Sequence, residues 1–316
     1  MTTTSERHLL RQSVTALVDK HAAPAAVRRA MVSPLGYDES LWAMLCEQVG
    51  VGALVVPESL GGAGGEFADA AAVLEELGRG LVPTPLLGTT LAELALLAAD
   101  DPDAAALGRL ATGESVGAVV FDDHDYVVNG AAADVVLAVT DGRILRWTDV
   151  TAEPRQSLDP TRRLARVRPG GSMQIATDPG IADMAAILLA AEQVGAAQRC
   201  LELTVDYTKQ RVQFGRPIGS FQALKHRMAD LYVAVQAARA TVGDAVASPG
   251  PVRAALARLA ATEAFCAVAG EAIQLHGGIA ITWEHDMHLY FKRAYSSAQL
   301  FGPPREQLRA LEDEVF

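Results

Sequence analysis

The sequence has few cysteines and no excess of positive charge. Its three cysteines, Cys46, Cys200 and Cys266, are far apart and form no CxxC pair. We therefore expect no disulfide scaffold and a reducing, cytoplasmic setting. Acidic residues outnumber basic ones by 38 to 27, and the formal net charge is −11. Because non-specific nucleic-acid binding depends on cationic surface, this balance argues against a nucleic-acid partner.

Long apolar runs are absent as well. No window reaches the roughly 18 uninterrupted apolar residues that a transmembrane helix needs. The first residues, MTTTSERHLLRQ, are too polar for a signal peptide. We therefore expect no contact with a membrane. Aromatic residues make up only 5% of the chain, but half of all residues are apolar, which is enough to bury a core and excludes a disordered chain.

The 316 residues divide into three regions of different pattern. Residues 1–113 are rich in Ala and Leu at helical spacing, and residues 178–316 show the same character more strongly. Between them, residues 114–177 contain Val- and Ile-rich runs at 116–121, 126–128, 134–139 and 143–147, separated by turn residues. The pattern predicts an α+β, mainly α chain: an N-terminal helical domain, a small middle β-domain and a C-terminal four-helix bundle.

The clearest helix of the predicted bundle carries an apolar stripe. Apolar residues recur at alternating spacings of three and four from Phe221 to Val242, which predicts core packing along one helix face. Ser220 is the predicted N-cap of this helix. Asp178 followed by Pro179 is the predicted start of the first bundle helix.

Two groups of polar residues permit more than one interpretation. Four arginines stand close together on the chain: Arg162, Arg163, Arg166 and Arg168. They form either a binding patch for a phosphorylated ligand or a solvated strand edge. His285 and His288 lie beside carboxylates, but no third ligand is identifiable, so we predict no metal site.

Two segments of the C-terminal region are more specific. The first, residues 209–222 (KQRVQFGRPIGSFQ), ends one helix in cations, turns through glycine and proline, and starts another helix. A pyrophosphate suits a guanidinium and a helix N-terminus in one place. The second, residues 274–280 (QLHGGIA), ends a helix in paired glycines, which let the backbone approach another molecule closely.

With these two segments, the chain resembles the acyl-CoA dehydrogenase family over nearly its whole length. Residues 56–62 (VPESLGG) and 75–78 (EELG) are similar to the family's N-terminal domain, and residues 127–130 (VVNG) and 159–163 (DPTRR) to its middle domain. The resemblance implies an enzyme that uses FAD to desaturate an acyl-CoA between its α and β carbons. It also implies a glutamate base for the α-proton and an electron-transfer flavoprotein as electron acceptor.

The resemblance also implies which residues bind the cofactor. By the family's pattern, eight residues contact the ADP half of an FAD that a neighbouring subunit mainly holds: Arg211, Gln213, Phe214, Ile218, Gln222, Gln274, Gly277 and Gly278. Their presence implies an oligomer that shares flavin sites across an interface.

The departures from the family's pattern concern the base and the middle domain. Phe301 and Ala185 occupy the two positions at which members carry the glutamate, and neither side chain accepts a proton. The middle region is also too short for the segments that cover the flavin ring. We therefore expect the partner subunit of a heteromeric α2β2 dehydrogenase, similar to actinobacterial enzymes of steroid breakdown, in which the other subunit supplies the base.

Two alternatives remain open from the sequence. A self-sufficient homo-oligomer needs a displaced base, for which Asp183, Glu192 and Glu284 are the available carboxylates. A non-enzymatic protein that binds flavin or acyl-CoA on the same scaffold is the other alternative, because fold alone does not guarantee activity.

Overall fold

The computed structural model describes residues 4–121 and 123–315. Among these residues, the N-terminal part contains six α-helices: α1 (Thr4–His21), α2 (Pro24–Val32), α3 (Glu39–Met44), α4 (Phe67–Arg79), α5 (Leu86–Leu97) and α6 (Ala104–Ala111). Asp38 caps α3, because its carboxylate accepts a hydrogen bond from the amide of Leu41. Asp103 caps α6 in the same way. Capping aspartates thus define where two of these helices begin.

The described middle part contains seven strands: β1 (Gly117–Val120), β2 (Val127–Val128), β3 (Val135–Thr140), β4 (Arg143–Thr148), β5 (Thr151–Arg155), β6 (Leu164–Arg168) and β7 (Gly171–Thr177). They form two sheets, with the strand orders β1-β3-β4-β7 and β2-β6-β5. β1 pairs with β3 in parallel, and the other neighbours are antiparallel. Successive residues of β3 alternate between a small core shared by both sheets and the main core of the chain.

The sequence pattern predicts β1 to β4 at nearly their observed bounds but does not predict β5 to β7. β5 and β7 are mostly exposed along their length, so they lack the alternation of apolar and polar side chains that marks a half-buried strand. β6 is a central strand whose arginines interrupt its apolar residues.

The described C-terminal part contains five α-helices: α7 (Ile181–Gln210), α8 (Gln222–Ala247), α9 (Pro251–His276), α10 (Met287–Gln299) and α11 (Pro304–Val315). Helices α7 to α10 form the predicted four-helix bundle, and α11 packs on α9. The apolar stripe on α8 is confirmed at Met228, Val235 and Val242, which are buried. A short hairpin of β8 (Val212–Gln213) and β9 (Arg216–Pro217) connects α7 to α8.

The starts of α7 and α8 test the two capping predictions. The predicted start at Asp178 is three residues early, because α7 begins at Ile181 after Gly180, whose φ of 104° is not helical. Asp178 closes the turn before the helix, since its Oδ1 accepts from the amide of Ile181 at 2.8 Å. The prediction for Ser220 is wrong, because its hydroxyl donates to the carbonyl of Pro217 at 2.7 Å. A 3₁₀ turn over Ile218–Ser220 directs the hydroxyl away from the helix. Within the described residues, no side chain caps the start of α8.

One continuous apolar core joins the three parts. It includes Leu74 of α4, Leu137 of β3, Ile187 of α7 and Phe265 of α9, all buried. The secondary structure therefore changes along the chain without a break in side-chain packing. The division into domains at residues 1–113, 114–177 and 178–316 stays a prediction.

One helix in the described part of the chain is long and apolar enough to cross a membrane by length and composition alone. This segment, Pro251–Ile281, consists of α9 and the 3₁₀ turn that follows it. It packs against α7, α8 and α10. Arg258 near its start is only 1% exposed and makes four hydrogen bonds to protein groups. These features are typical of the central helix of a bundle.

Candidate functional site

The two specific segments of the sequence meet at one end of the bundle. Because α7, α8 and α9 alternate in direction, the end of α7 lies beside the start of α8 and the end of α9. Tyr207 of α7 stacks on His276 of α9, with ring centroids 4.1 Å apart and an angle of 24° between the planes. The fold thus brings residues 209–222 and 274–280, separated by more than fifty positions in the sequence, to a common surface.

The β8–β9 hairpin presents an aromatic ring to solvent. Its two turn residues, Phe214 and Gly215, both have positive φ angles of 50° and 75°. The left-handed conformation suits glycine but strains a phenylalanine, at a cost of the order of 1 kcal/mol. The Phe214 side chain is 92% exposed, and its edge-to-face contact with Phe221 at a centroid distance of 6.2 Å covers little of the ring. A strained and exposed aromatic residue is a candidate contact for a partner or ligand.

The start of α8 offers a place for an anion. Arg211 at the end of α7 is exposed, and the guanidinium of Arg216 lies 4.0 Å from the ring centroid of Phe221. The uncapped first-turn amides of α8 add the positive end of a helix dipole. Gln213 and Gln222 are exposed on the same connection, and Ile218 is half-buried there. Cations, amides and an aromatic ring in one place fit a dinucleotide diphosphate.

The end of α9 completes this surface. Gly277 has a φ of 66° and a ψ of −151°, a conformation that is essentially restricted to glycine. Gln274, Gly277 and Gly278 are exposed, and an added Cβ on either glycine would meet no atom within 4 Å. The backbone here is therefore open to another molecule. Ile281 and Trp283 beyond it are 71% and 55% exposed, which extends an apolar patch along the connection to α10.

A third glycine brings α7 and the start of α8 together. A Cβ on Gly219 would lie 2.9 Å from the hydroxyl oxygen of Thr208 and 3.1 Å from its carbonyl oxygen. Only a residue without a side chain permits this approach, so Gly219 keeps the hairpin connection against the last turn of α7.

The two positions at which the sequence lacks a base lie in different surroundings. Ala185 is completely buried inside α7. Phe301 follows α10 with a φ of 59° and packs edge-to-face on Phe121 at a centroid distance of 5.2 Å. Phe301 lines a cleft of about 770 Å³ between the middle sheets and the α10–α11 turn. Neither side chain can accept a proton.

The rim of this cleft is acidic. Asp123, Asp141 and Glu306 line it together with apolar residues such as Val119 and Val139. Among the described residues that line the cleft, none carries a positive charge. Asp123 and Glu306 are site residues that the sequence reasoning missed, because nothing in their spacing links them to Phe301.

Comparison with protein families decides the assignment. A model described as the N-terminal domain of acyl-CoA dehydrogenase matches residues 4–114, and one described as the C-terminal domain matches residues 180–313. The chain belongs to the acyl-CoA dehydrogenase family. Members of this family are FAD-dependent oxidoreductases. FAD is therefore the ligand whose chemical groups the residues at the bundle end have to match.

Individual relatives give closer comparisons. The chain is 67% identical over 316 residues to "Acyl-CoA dehydrogenase IpdE2" of Mycobacterium tuberculosis, covering 100% of this chain and 99% of that protein. The ChsE4-ChsE5 complex from Mycobacterium tuberculosis is similar in structure, with a TM-score of 0.87 and 25% identity over 99% of this chain and 98% of that one. The structure described as a variant of the Tcur3481-Tcur3483 steroid ACAD is also similar, with a TM-score of 0.88 and 25% identity. The match covers 98% of this chain and 97% of that one.

The three alternative carboxylates for a dehydrogenase base do not line the cleft beside Phe301. Glu192 is buried and accepts two hydrogen bonds from Arg162, at 2.7 and 2.9 Å, and a further one from Arg293. Glu284 is exposed, and Asp183 is half-buried in the first turn of α7. Glu192 is therefore engaged in buried ion pairs with Arg162 and Arg293, and the roles of the three carboxylates as a base stay predictions.

The arginine cluster divides between the interior and a solvated strand, since Arg168 at the end of β6 is 52% exposed. Arg162 is buried in the pair with Glu192, and Arg163 donates to the carbonyl of Met31 at 2.9 Å. Arg166 and Arg168 lie on the central strand β6, and Arg166 donates to Asp125 at 2.5 Å. These arginines therefore bind protein groups. The sequence shows how closely the arginines are spaced, but it does not show their partners, which belong to distant segments.

A buried network connects Arg162 to the cleft. Arg293 lies 2.7 Å from Asp159 through Nε and 2.6 Å from the hydroxyl of Thr161 through Nη2. Arg258 donates to the carbonyl of Leu300 at 2.9 Å and to that of Ser297. Burial lowers the pKa of Arg258 to about 10, so it stays charged at neutral pH. This charge at the carboxyl end of α10 holds the turn that carries Phe301.

The histidines near α10 contact protein groups as well. The Nδ1 of His285 lies 3.3 Å from the amide of Met287, and His288 stacks on Trp283 at 5.3 Å. No group of three metal-ligating side chains of the His, Cys, Asp or Glu type is present in residues 4–121 and 123–315.

Proposed function

We propose that this chain is the partner subunit of a heteromeric acyl-CoA dehydrogenase and completes the FAD site of a second subunit. The observation that carries the proposal is that this chain has the residue types of a cofactor surface but lacks a catalytic base. The surface at the bundle end keeps the family's ADP-binding residue types in an exposed arrangement, whereas Phe301 and Ala185 leave the chain's own cleft without a base at the family's positions. The second subunit would supply the glutamate.

The residues of this chain would act by binding and orienting the cofactor. Arg211 and the first amides of α8 would neutralise the diphosphate, and Phe214 would cover the adenosine half. Gln222 and Gln274 would donate hydrogen bonds from their amides, while Gly277 and Gly278 let the backbone approach. The chemistry that FAD supplies when bound is acceptance of the β-hydride of the acyl group.

The acidic cleft of this chain supports a division of labour. Coenzyme A carries several phosphate charges, and Asp123, Asp141 and Glu306 would repel them at the cleft entrance. Because no described lining residue is a cation, the cleft lacks the groups that would attract an acyl-CoA. The proposal therefore assigns acyl-CoA binding to the second subunit.

The relatives support the substrate class and the assembly that we propose. One similar structure is described as a steroid ACAD, and two are complexes of two named components. We propose an α2β2 assembly in the cytoplasm that desaturates a steroid-derived acyl-CoA and passes electrons to an electron-transfer flavoprotein. The FAD-binding roles of Arg211, Gln213, Phe214, Ile218, Gln222, Gln274, Gly277 and Gly278 are part of this proposal.

The test compares the purified chain with a complex. The complex is obtained by co-expressing the chain with a second acyl-CoA dehydrogenase subunit and purifying the two together. We expect the chain alone to be colourless and inactive, and the complex to show a flavin spectrum and acyl-CoA oxidation. Arg211→Ala and Gln274→Ala should release flavin from the complex, whereas Arg253→Ala, at the exposed start of α9, should not. Stoichiometric FAD and turnover in the chain alone would overturn the proposal.

A self-sufficient homo-oligomer is the second candidate, and Glu306 is the observation that favours it. Its carboxylate stands on the rim of the cleft that contains Phe301. If the chain alone oxidises an acyl-CoA, this candidate predicts that Glu306→Gln lowers turnover by about 10²- to 10⁴-fold, the usual contribution of a general base. Unchanged turnover in that variant would remove Glu306 as the base.

A further inference from the structure

Tyr207 connects the two proposed ADP-binding segments, through its backbone carbonyl on one side and its side chain on the other. The carbonyl of Tyr207 accepts a hydrogen bond from the amide of Arg211 at 2.8 Å, which closes the last turn of α7. The hydroxyl of the same tyrosine donates to the carbonyl of His276 at 3.3 Å. One residue therefore bonds directly to the helix end that carries Arg211 and to the residue preceding Gly277.

The ring of Tyr207 adds a second connection. It stacks on the imidazole of His276, whose Nδ1 lies 2.8 Å from the carbonyl of Ala272 within α9. His285 packs edge-to-face against the ring of His276 at a centroid distance of 4.9 Å. His276 is only 6% exposed, and burial lowers its pKa, so the stacked imidazole is neutral at neutral pH. The imidazole of His276 is thus held by two rings and by the backbone of α9.

Two glycines follow His276 directly. Gly277 and Gly278 have no side chains, and an added Cβ on either would meet no atom within 4 Å. The position of these two residues is therefore set through their neighbours in the chain, His276 on one side and the completely buried Ala280 on the other. Any movement of His276 relative to α7 would change the distance between Arg211 and the glycine backbone.

We propose that Tyr207 is a positioning residue of the FAD site, which sets the separation between the Arg211 end of α7 and the Gly277–Gly278 turn. This inference rests on the proposed function, because it concerns binding of the ADP half of FAD. Tyr207 itself need not touch the cofactor. It acts through Arg211 on one side and through the backbone of His276 on the other.

The experiment uses the flavin-containing complex with Tyr207→Phe and Tyr207→Leu. Tyr207→Phe keeps the ring and removes the bond to His276, so FAD affinity should fall roughly two- to tenfold, the effect of one hydrogen bond. Tyr207→Leu also removes the stack and should lower the affinity further. Tyr232→Leu, at a tyrosine that is 54% exposed on α8, is the matched control and should leave FAD affinity unchanged.

Two further readouts separate positioning from a general loss of structure. FMN lacks the adenosine monophosphate of FAD, so its binding, measured by competition, should be unchanged in Tyr207→Phe and Tyr207→Leu. The subunit ratio in gel filtration should also stay the same. If both variants bind FAD like the wild type, or lose FAD and FMN equally, the inference is wrong.

The failure of the proposed function would look different. In that case Arg211→Ala and Gln274→Ala would leave flavin binding unchanged as well, or the wild-type complex would contain no flavin. If those two variants lose FAD and the Tyr207 variants do not, only the positioning role is refuted.

Discussion

Removal of the Glu192 carboxylate tests whether the buried network is held together by charge. Glu192→Gln keeps nearly the same shape but removes one of two carboxylates that face three buried guanidinium groups. The three arginines are Arg162, Arg258 and Arg293, which are 7%, 1% and 4% exposed. Asp159, completely buried, is the other carboxylate. The substitution therefore raises the excess positive charge of the network from one to two.

The size of the effect follows from the hydrogen bonds that the substitution removes. Glu192 accepts hydrogen bonds from Arg162 at 2.7 and 2.9 Å and also from Arg293. In Glu192→Gln, the amide NH2 group would face these guanidinium N–H groups and could not accept a hydrogen bond from them. Breaking a buried ion pair by removal of one partner costs about 3–5 kcal/mol, because a desolvated charge is left without compensation. We expect a loss in the free energy of unfolding within this range.

Urea unfolding followed by circular dichroism measures this loss, with the slope of the transition checked for constancy. Asp244→Asn is the matched control, since Asp244 pairs with Arg253 where the two side chains are 66% and 48% exposed. Exposed pairs contribute about 0–1 kcal/mol. A Glu192→Gln protein that unfolds within about 1 kcal/mol of the wild type would refute the reasoning, because the carboxylate would then not compensate the buried arginines.

Three further predictions concern single side chains. Burial raises the pKa of Glu93 well above its usual value. The protonated side chain therefore contributes its full stability below the unfolded pKa of about 4.3, and this contribution is lost as the pH rises through the folded pKa. Glu93→Gln should therefore gain stability over the wild type between pH 4.5 and pH 7.5 in urea unfolding. Phe301→Leu should cost roughly 0.5–1.5 kcal/mol by loss of the edge-to-face pair with Phe121, measured in the same assay. Gly277→Ala should cost about 1–3 kcal/mol because of its backbone angles, while Gly278→Ala, which meets open space, should cost less.

Each of these predictions has a contrary outcome. A stability difference between wild type and Glu93→Gln that does not change with pH would mean that Glu93 ionises normally in the folded chain. Phe121→Leu should match Phe301→Leu, and a clear difference between them would contradict the paired role of the rings. Equal losses for the two glycine variants would show that the conformation of Gly277 is not strained for alanine.

Much of the fold could be predicted because its signals are local. The stripe from Phe221 to Val242 predicts a long helix, and Asp178 predicts the start of α7 to within three residues, since both signals depend on neighbours within a turn or two of helix. β5 and β7 could not be predicted, because exposed edge strands need no apolar alternation. The cap predicted at Ser220 is wrong, because the 3₁₀ turn before α8 competes for its hydroxyl.

The candidate site was only partly predictable for the same reason. The motifs around Arg211 and Gly277 are recognisable as short patterns of residue types. The contact between them depends on Tyr207 and His276, which belong to different helices. The acidic rim of the cleft has no pattern at all, because Asp123 and Glu306 come to one cleft only when the chain folds.

The sequence by itself determined the family, the order of helical and β regions, and the absence of a glutamate at positions 185 and 301. Each of these is a property of residue type at a given spacing. Only the tertiary structure decided that Glu192 is an ion-pair partner and that Phe301 faces an acidic cleft. It also showed that Tyr207 joins two distant helix ends. The physical reason is that the role of a charge or a ring depends on burial and on neighbours, and packing brings these from segments far apart in the chain.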